Sequence, residues 1–189
     1  MCPGKIILIN GTSSSGKSTI LHAIQNSVED VYLECGIDKF IFMMPERYLE
    51  CPLWDDVLGL ARKAGATGHQ LIRGMHQTIK ALSLAGCNVL ADQVLVEPEW
   101  ARECATLFSS LPAYLVGVNC PIEILEERER NRKNRTLGQA ALQIPLIHKY
   151  SSYDMEVDSH QQSVEECVKS ILSCLAQPPT GLRKMLTML

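Results

Sequence analysis

The sequence predicts an α/β fold in which helices cover a parallel sheet, and three observations predict it. Short apolar runs alternate with longer amphipathic stretches along nearly the whole chain, the pattern of β-α units. The first run, KIILIN over 5–10, is continuously apolar from Ile6 to Ile9, as a strand covered on both faces must be. It leads directly into Gly11-Thr12-Ser13-Ser14-Ser15-Gly16-Lys17-Ser18, a complete G-x-x-x-x-G-K-S, and then into an amphipathic stretch.

The elements follow in order. Ile20, Leu21, Ile24 and Val28 share one face of a helix over 17–27. VYLEC over 31–35 predicts a second strand, CNVLA over 87–91 a third, AYLVGV over 113–118 a fourth and MEV over 155–157 a short fifth. A helix over 70–85 carries Leu71, Met75, Ile79 and Leu82 and stops at Gly86. The stretches 98–111 and 121–132 each open on a proline, which is tolerated in a first turn because its missing N–H has no partner there anyway. A last helix over 162–176 aligns Val164, Val168, Ile171, Leu172 and Leu175. Beyond Pro178 and Pro179 the sequence predicts a tail, frayed or docked on the surface.

With 189 residues the chain suits one domain, here 1–177, followed by the tail 178–189. Eighteen Lys and Arg against 21 Asp and Glu provide no field to draw the protein onto nucleic acid or an anionic membrane, so neither partner is expected. No apolar run approaches the roughly 20 residues of a bilayer span, and the chain reads as cytoplasmic. Its eight cysteines are at least seven positions apart and mostly within apolar runs, which predicts buried thiols rather than a disulfide framework. Neither Cys-x-x-Cys nor His-Glu-x-x-His occurs, so a zinc site is not expected. Composition leaves a homo-oligomer open.

The 11–18 segment carries the strongest chemical signal. Its glycines let successive N–H groups point into one concavity, and the following helix adds its positive dipole end, which together suit phosphate. Lys17 is placed to reach the β- and γ-phosphates, Ser18 to offer a hydroxyl to Mg²⁺, and Gly11 to Thr19 to line the nucleotide. Asp92 ends the third strand run, where an acid holds magnesium directly or through water; otherwise it is a turn or helix-cap aspartate. Asp38 ends the second strand run and faces the crevice as a base for an acceptor hydroxyl, or it caps the stretch 39–44. Arg128, Arg132 and Arg135 fall at i, i+4 and i+7, the spacing of a lid that clamps a transferring phosphoryl; the alternative is a solvated face paired with Glu123, Glu126, Glu127 and Glu129. The lid spans about 128–140, and an acceptor-site insertion about 40–70. Within the insertion Met43, Met44 and Trp54 either line an apolar acceptor site or fill a core, and His148, Tyr150, Tyr153 and Asp154 either join that pocket or pack.

A guanine-reading Asn-Lys-x-Asp is absent and the chain is short for a motor, which leaves the compact kinase architecture. The chain resembles the chloramphenicol phosphotransferase-like family in the stretch from Ile6 to Ser18, in Gly36-Ile-Asp38, Asn88-Val-Leu-Ala-Asp92 and Val116-Gly-Val-Asn-Cys120, in the arginine-spaced lid and in Tyr153-Asp-Met-Glu-Val-Asp158. It departs in having Gln93 where the pattern has a second acid, and 40–68 shows little match. The resemblance implies a P-loop NTPase with a nucleotide-kinase-like three-layer fold and a five-stranded parallel sheet. It further implies ATP- and Mg²⁺-dependent transfer of the γ-phosphoryl to a small-molecule hydroxyl. In that scheme Asp38 is the general base, Lys17, Arg132 and Arg135 act on the transferring group, Arg128 holds the nucleotide, and Ser18 and Asp92 hold the metal. A kinase for nucleotides or other metabolites, or a non-catalytic nucleotide-binding module, are the competing readings.

Overall fold

The computed structural model describes residues 2–46, 65–131 and 137–189. Five strands, β1 (Ile6–Asn10), β2 (Tyr32–Glu34), β3 (Asn88–Gln93), β4 (Ala113–Asn119) and β5 (Met155–Asp158), form one sheet in the order β2-β3-β1-β4-β5. Every pairing is parallel; in the central strand Leu8 lies opposite Ala91 on one side and Leu115 on the other. The helices among the described residues are α1 (Lys17–Ser27), α2 (Ile37–Ile41), α3 (Gly65–Leu84), α4 (Pro98–Phe108), α5 (Ile122–Asn131), α6 (Gln139–Ile147), α7 (Val164–Cys174) and α8 (Gly181–Met188).

Side chains of successive strand residues point to opposite faces, so the unbroken apolar run of β1 feeds two cores at once. Ile6 and Leu8 join Met75 and Ile79 of α3, Cys104 and Phe108 of α4, and Leu182 and Met185 of α8. Ile7 and Ile9 join Ile20, Leu21 and Ile24 of α1 and Cys167, Val168 and Ile171 of α7 on the other face. The result is the expected three-layer α/β architecture. α7 begins with a capping box: the Ser163 hydroxyl accepts from the Glu166 amide at 3.2 Å, and Glu166 Oε2 accepts from the Ser163 amide at 2.8 Å. The seven cysteines among the described residues are free thiols. None of the helices in the described residues is long and apolar enough to cross a membrane.

Three expectations change. The second strand stops at Glu34, and Asp38 stands not at a strand end but in the first turn of α2, whose N-cap is Gly36. The segment QAALQIPLI, given no secondary-structure element in the sequence, is α6, with Pro145 inside it. The boundary at 177 does not separate a tail from the core, because α8 buries Leu182 and Met185. The fastening is the Asp154 carboxylate, which accepts from the Thr180 and Gly181 amides at 2.6 and 2.8 Å and, through its other oxygen, from the Leu115 amide at 2.9 Å. A negative charge at the orphan N–H groups of a helix N-terminus is favoured by hydrogen bonding and by the helix dipole.

Candidate functional site

The phosphate loop runs from the buried end of β1 to the first turn of α1. Two residues bend it into a concave shape: Ser14 at φ 62° and Gly16 at φ 90°, both in the left-handed region that costs glycine little. Asn10 anchors the loop from below. Its Nδ2 donates to the Ile147 carbonyl at 2.9 Å and to the Tyr153 hydroxyl at 2.8 Å, and its Oδ1 accepts from the Leu95 amide at 2.9 Å. The Tyr153 hydroxyl therefore turns its own proton toward His148 Nδ1, 2.7 Å away. Burial holds the Tyr153 pKa up, to about 12, and pushes His148 down from its ordinary value, so both stay neutral. His148, Tyr153 and Asp154 are thus packed into the scaffold beneath the loop and around α8. Of the proposed apolar lining, Met43 is exposed after α2, and Trp54 lies outside the described residues.

Lys17 is almost wholly buried, and its Nζ donates to the carbonyls of Gly11 at 2.8 Å and Thr12 at 2.7 Å. The hydroxyls of Ser14 and Ser15 are buried with no hydrogen-bond partner among the described residues. Left dry, such groups cost about 1–3 kcal/mol each. A phosphate chain that accepts from the loop meets that demand, so the residues fit a nucleotide.

A cleft over the loop brings together Lys17, Ser18, Asp38, Asp92 and, from α6, Gln139 and Gln143. Asp92 is at the end of β3, opposite Ile9 in the register. Its carboxyl is held above the usual range chiefly by burial; Lys17 pulls it down, and Asp38 and Glu34 push it further up. Gly36 makes room for it: a Cβ there would lie 1.6 Å from Asp92 Oδ1. With the Ser18 hydroxyl in the same cleft, the donor set is all oxygen and suits Mg²⁺.

A second cleft of about 410 Å³ opens on the other side of the loop, bounded by Thr19, Ile20, Arg128, Ser159 and Gln162 and sharing Ser14 and Gly16 with the first. Arg128 is fixed there. Its guanidinium donates to the Ser159 hydroxyl at 3.1 Å and carbonyl at 3.0 Å, and at 3.4 Å to the Ser14 carbonyl of the phosphate loop. Arg132 and Arg135 lie outside the described residues.

Sequence reasoning passed over Gln139, Gln143 and Glu129. Gln143 Oε1 accepts from the Ser13 amide at 2.6 Å. Glu129, read as one acid of a solvated face, is buried, and its carboxylate accepts from the amides of Gly138 at 3.0 Å and Ala140 at 2.7 Å, capping α6. The i, i+4 spacing of the two glutamines was the available signal. Gln93, in the position of the second acid, is buried and faces His76 Nε2 at 3.2 Å, while His76 Nδ1 contacts Glu103 at 3.1 Å.

Comparison with known proteins agrees with this geometry. A protein of Mycobacterium tuberculosis (strain ATCC 25618 / H37Rv), named "Putative O-phosphotransferase Rv2636", is 29% identical over 184 residues, covering 90% of this chain and 82% of its own. A sugar kinase from Janibacter sp. HTCC2649 superposes with a TM-score of 0.68 at 17% identity, over 94% of this chain and 98% of that one. The adenylylsulfate (APS) kinase CysC of Mycobacterium tuberculosis, solved with AMPPNP and APS, gives 0.67 at 14% identity, over 94% and 100%. These structures share the P-loop kinase fold. The family model for chloramphenicol phosphotransferase-like proteins matches residues 4–176, and the chain belongs to that family.

Proposed function

We propose that this protein transfers the γ-phosphoryl of ATP, with Mg²⁺, to a hydroxyl of a small molecule in the cytoplasm. The observation that carries the reading is one cleft in which a phosphate loop with its lysine, Lys17, meets two carboxylates on different elements, Asp38 and Asp92. A module that only binds nucleotide has no use for the second carboxylate.

The residues divide the work by position. The amides of 11–19 bind the phosphates, and Arg128 holds the nucleoside side of the loop. Ser18 and Asp92 would hold the metal, which when bound would supply charge neutralisation to the phosphates. Lys17 exchanges the Gly11 and Thr12 carbonyls for phosphate oxygens, and Arg132 and Arg135 close on the transferring group. Asp38 accepts the proton of the acceptor hydroxyl as that oxygen attacks phosphorus. It stands in the first turn of α2 and lines the cleft.

The test is a phosphoryl-transfer screen with ATP over hydroxylated antibiotics, nucleosides and sugars, run with Asp38→Asn beside the wild type. The variant should lose on the order of 10²- to 10⁴-fold in rate, the usual worth of a positioned general base, with nucleotide affinity kept. A full rate in the variant, or nucleotide binding that collapses with the rate, overturns the role of Asp38. Transfer to none of the acceptor classes, with nucleotide bound, turns the reading to a binding module.

A further inference from the structure

We propose that Gln143 reads the terminal phosphoryl group: its side-chain oxygen occupies the Ser13 amide until a triphosphate displaces it. This assignment rests on the phosphotransferase reading and on three observations around α6 and the loop. First, Gln143 is 2% exposed, and its Oε1 accepts from the Ser13 N–H at 2.6 Å, so an uncharged protein oxygen sits on one of the loop's anion-facing donors. Second, the two clefts assign that donor to one end of the phosphate chain. Ser14 and Gly16 border both clefts, Arg128 and Ser159 only the nucleoside side, and Ser13, Asp38 and Gln143 only the acceptor side. A nucleotide threaded across the loop therefore presents its last phosphoryl to Ser13 and Gln143, and a diphosphate ends short of them. Third, α6 is held in place at both ends, by the Glu129 carboxylate at the Gly138 and Ala140 amides and by the Asn10 amide at the Ile147 carbonyl. Gln143 thus responds by turning its carboxamide while its helix stays in place.

The exchange is an economical one. The Ser13 N–H passes from a neutral carbonyl oxygen to a phosphoryl oxygen, and rotation about the last side-chain torsion turns the Gln143 N–H groups toward that same phosphoryl. The amide can do this because it is an acceptor on one edge and a donor on the other. A carboxylate is an acceptor on both. In Gln143→Glu it keeps the Ser13 N–H and sets a negative charge against the incoming phosphoryl, while a diphosphate is spared.

The experiment measures binding of Mg²⁺-ADP and of the Mg²⁺-bound β,γ-imido analogue of ATP to wild type and to Gln143→Glu. The variant should bind ADP within about twofold of wild type and the imido analogue about ten-fold more weakly or worse, the usual size of a hydrogen bond to a charged group. In the wild-type protein, the Gln143 side-chain ¹⁵N–¹H₂ resonances should shift with the imido analogue and hold still with ADP, a readout that needs no variant to fold. Equal weakening of both nucleotides together with a lowered melting temperature makes Gln143 a packing residue and overturns the inference. So does an equal resonance shift with both ligands. Failure of the wild type to bind either nucleotide would sink the phosphotransferase reading as well; binding of both with no discrimination sinks this inference alone.

Discussion

Gly36 illustrates how a single residue sets the geometry of the cleft. Its backbone, at φ −91° and ψ 171°, suits any residue, so space rather than conformation explains the glycine. A methyl group there would overlap Asp92 Oδ1 at 1.6 Å and crowd Cγ at 2.8 Å. Gly36→Ala should leave the protein folded, because a side-chain oxygen can swing aside, and should lower phosphoryl transfer on the order of 10²-fold, the loss that an ångström of misplacement brings. Comparing turnover with the thermal melt separates the two effects. Lys17 makes a complementary case. Its ammonium donates to the Gly11 and Thr12 carbonyls, and Lys17→Ala removes the cation for the phosphates, which no other loop side chain supplies. Transfer should fall by about 10²- to 10³-fold or more, with circular dichroism unchanged. Wild-type turnover in that variant would refute the assignment of the loop.

Helix ends are where the elements of this fold are fastened. α6 is bound to α5 by Glu129 and to the strand β1 by Asn10, and α8 is bound to β4 and the β5 approach by Asp154. Each case places a buried or half-buried polar side chain on orphan backbone groups that nothing else satisfies. Asp154→Ala should therefore strand the Thr180, Gly181 and Leu115 amides. The expected cost is about 1–3 kcal/mol, read as a drop in urea midpoint with an unchanged slope, the usual penalty for leaving buried amides such as those of Gly181 and Leu115 without an acceptor. Nucleotide affinity should hold, since Asp154 is not part of either cleft. An unchanged midpoint would mean that apolar packing alone docks α8.

At the scale of the molecule, one central strand feeds two cores, and the C-terminal helix completes one of them. Truncation after Gln177 removes Leu182 and Met185, which are 2% and 0% exposed, from the face shared with α4. Two fully buried aliphatic side chains are worth about 3–6 kcal/mol together, a large part of a domain's whole stability. The shortened chain should melt about 6–24 °C lower or accumulate as aggregate. A melting temperature equal to the full chain's would make residues 178–189 the tail that their sequence suggests.

The parallel sheet, the phosphate loop and the family were legible in the sequence because each depends on local pattern: strand runs buried on both faces, a fixed glycine spacing, and helices with one apolar stripe. The convergence of Lys17 and Asp92 on one crevice also followed, since parallel strands present their carboxyl ends to the same edge. Only the tertiary structure decided what lies against the loop. Asp38 stands in the first turn of α2 and not at a strand end because β2 stops at Glu34. Gln143 reaches Ser13 across 130 residues, and Asn10 reaches Ile147 across 137. A glutamine, an asparagine or a lone carboxylate has no periodic signature; its role is set by which orphan amide the fold brings to it, and that is a property of packed elements, not of neighbours in the chain.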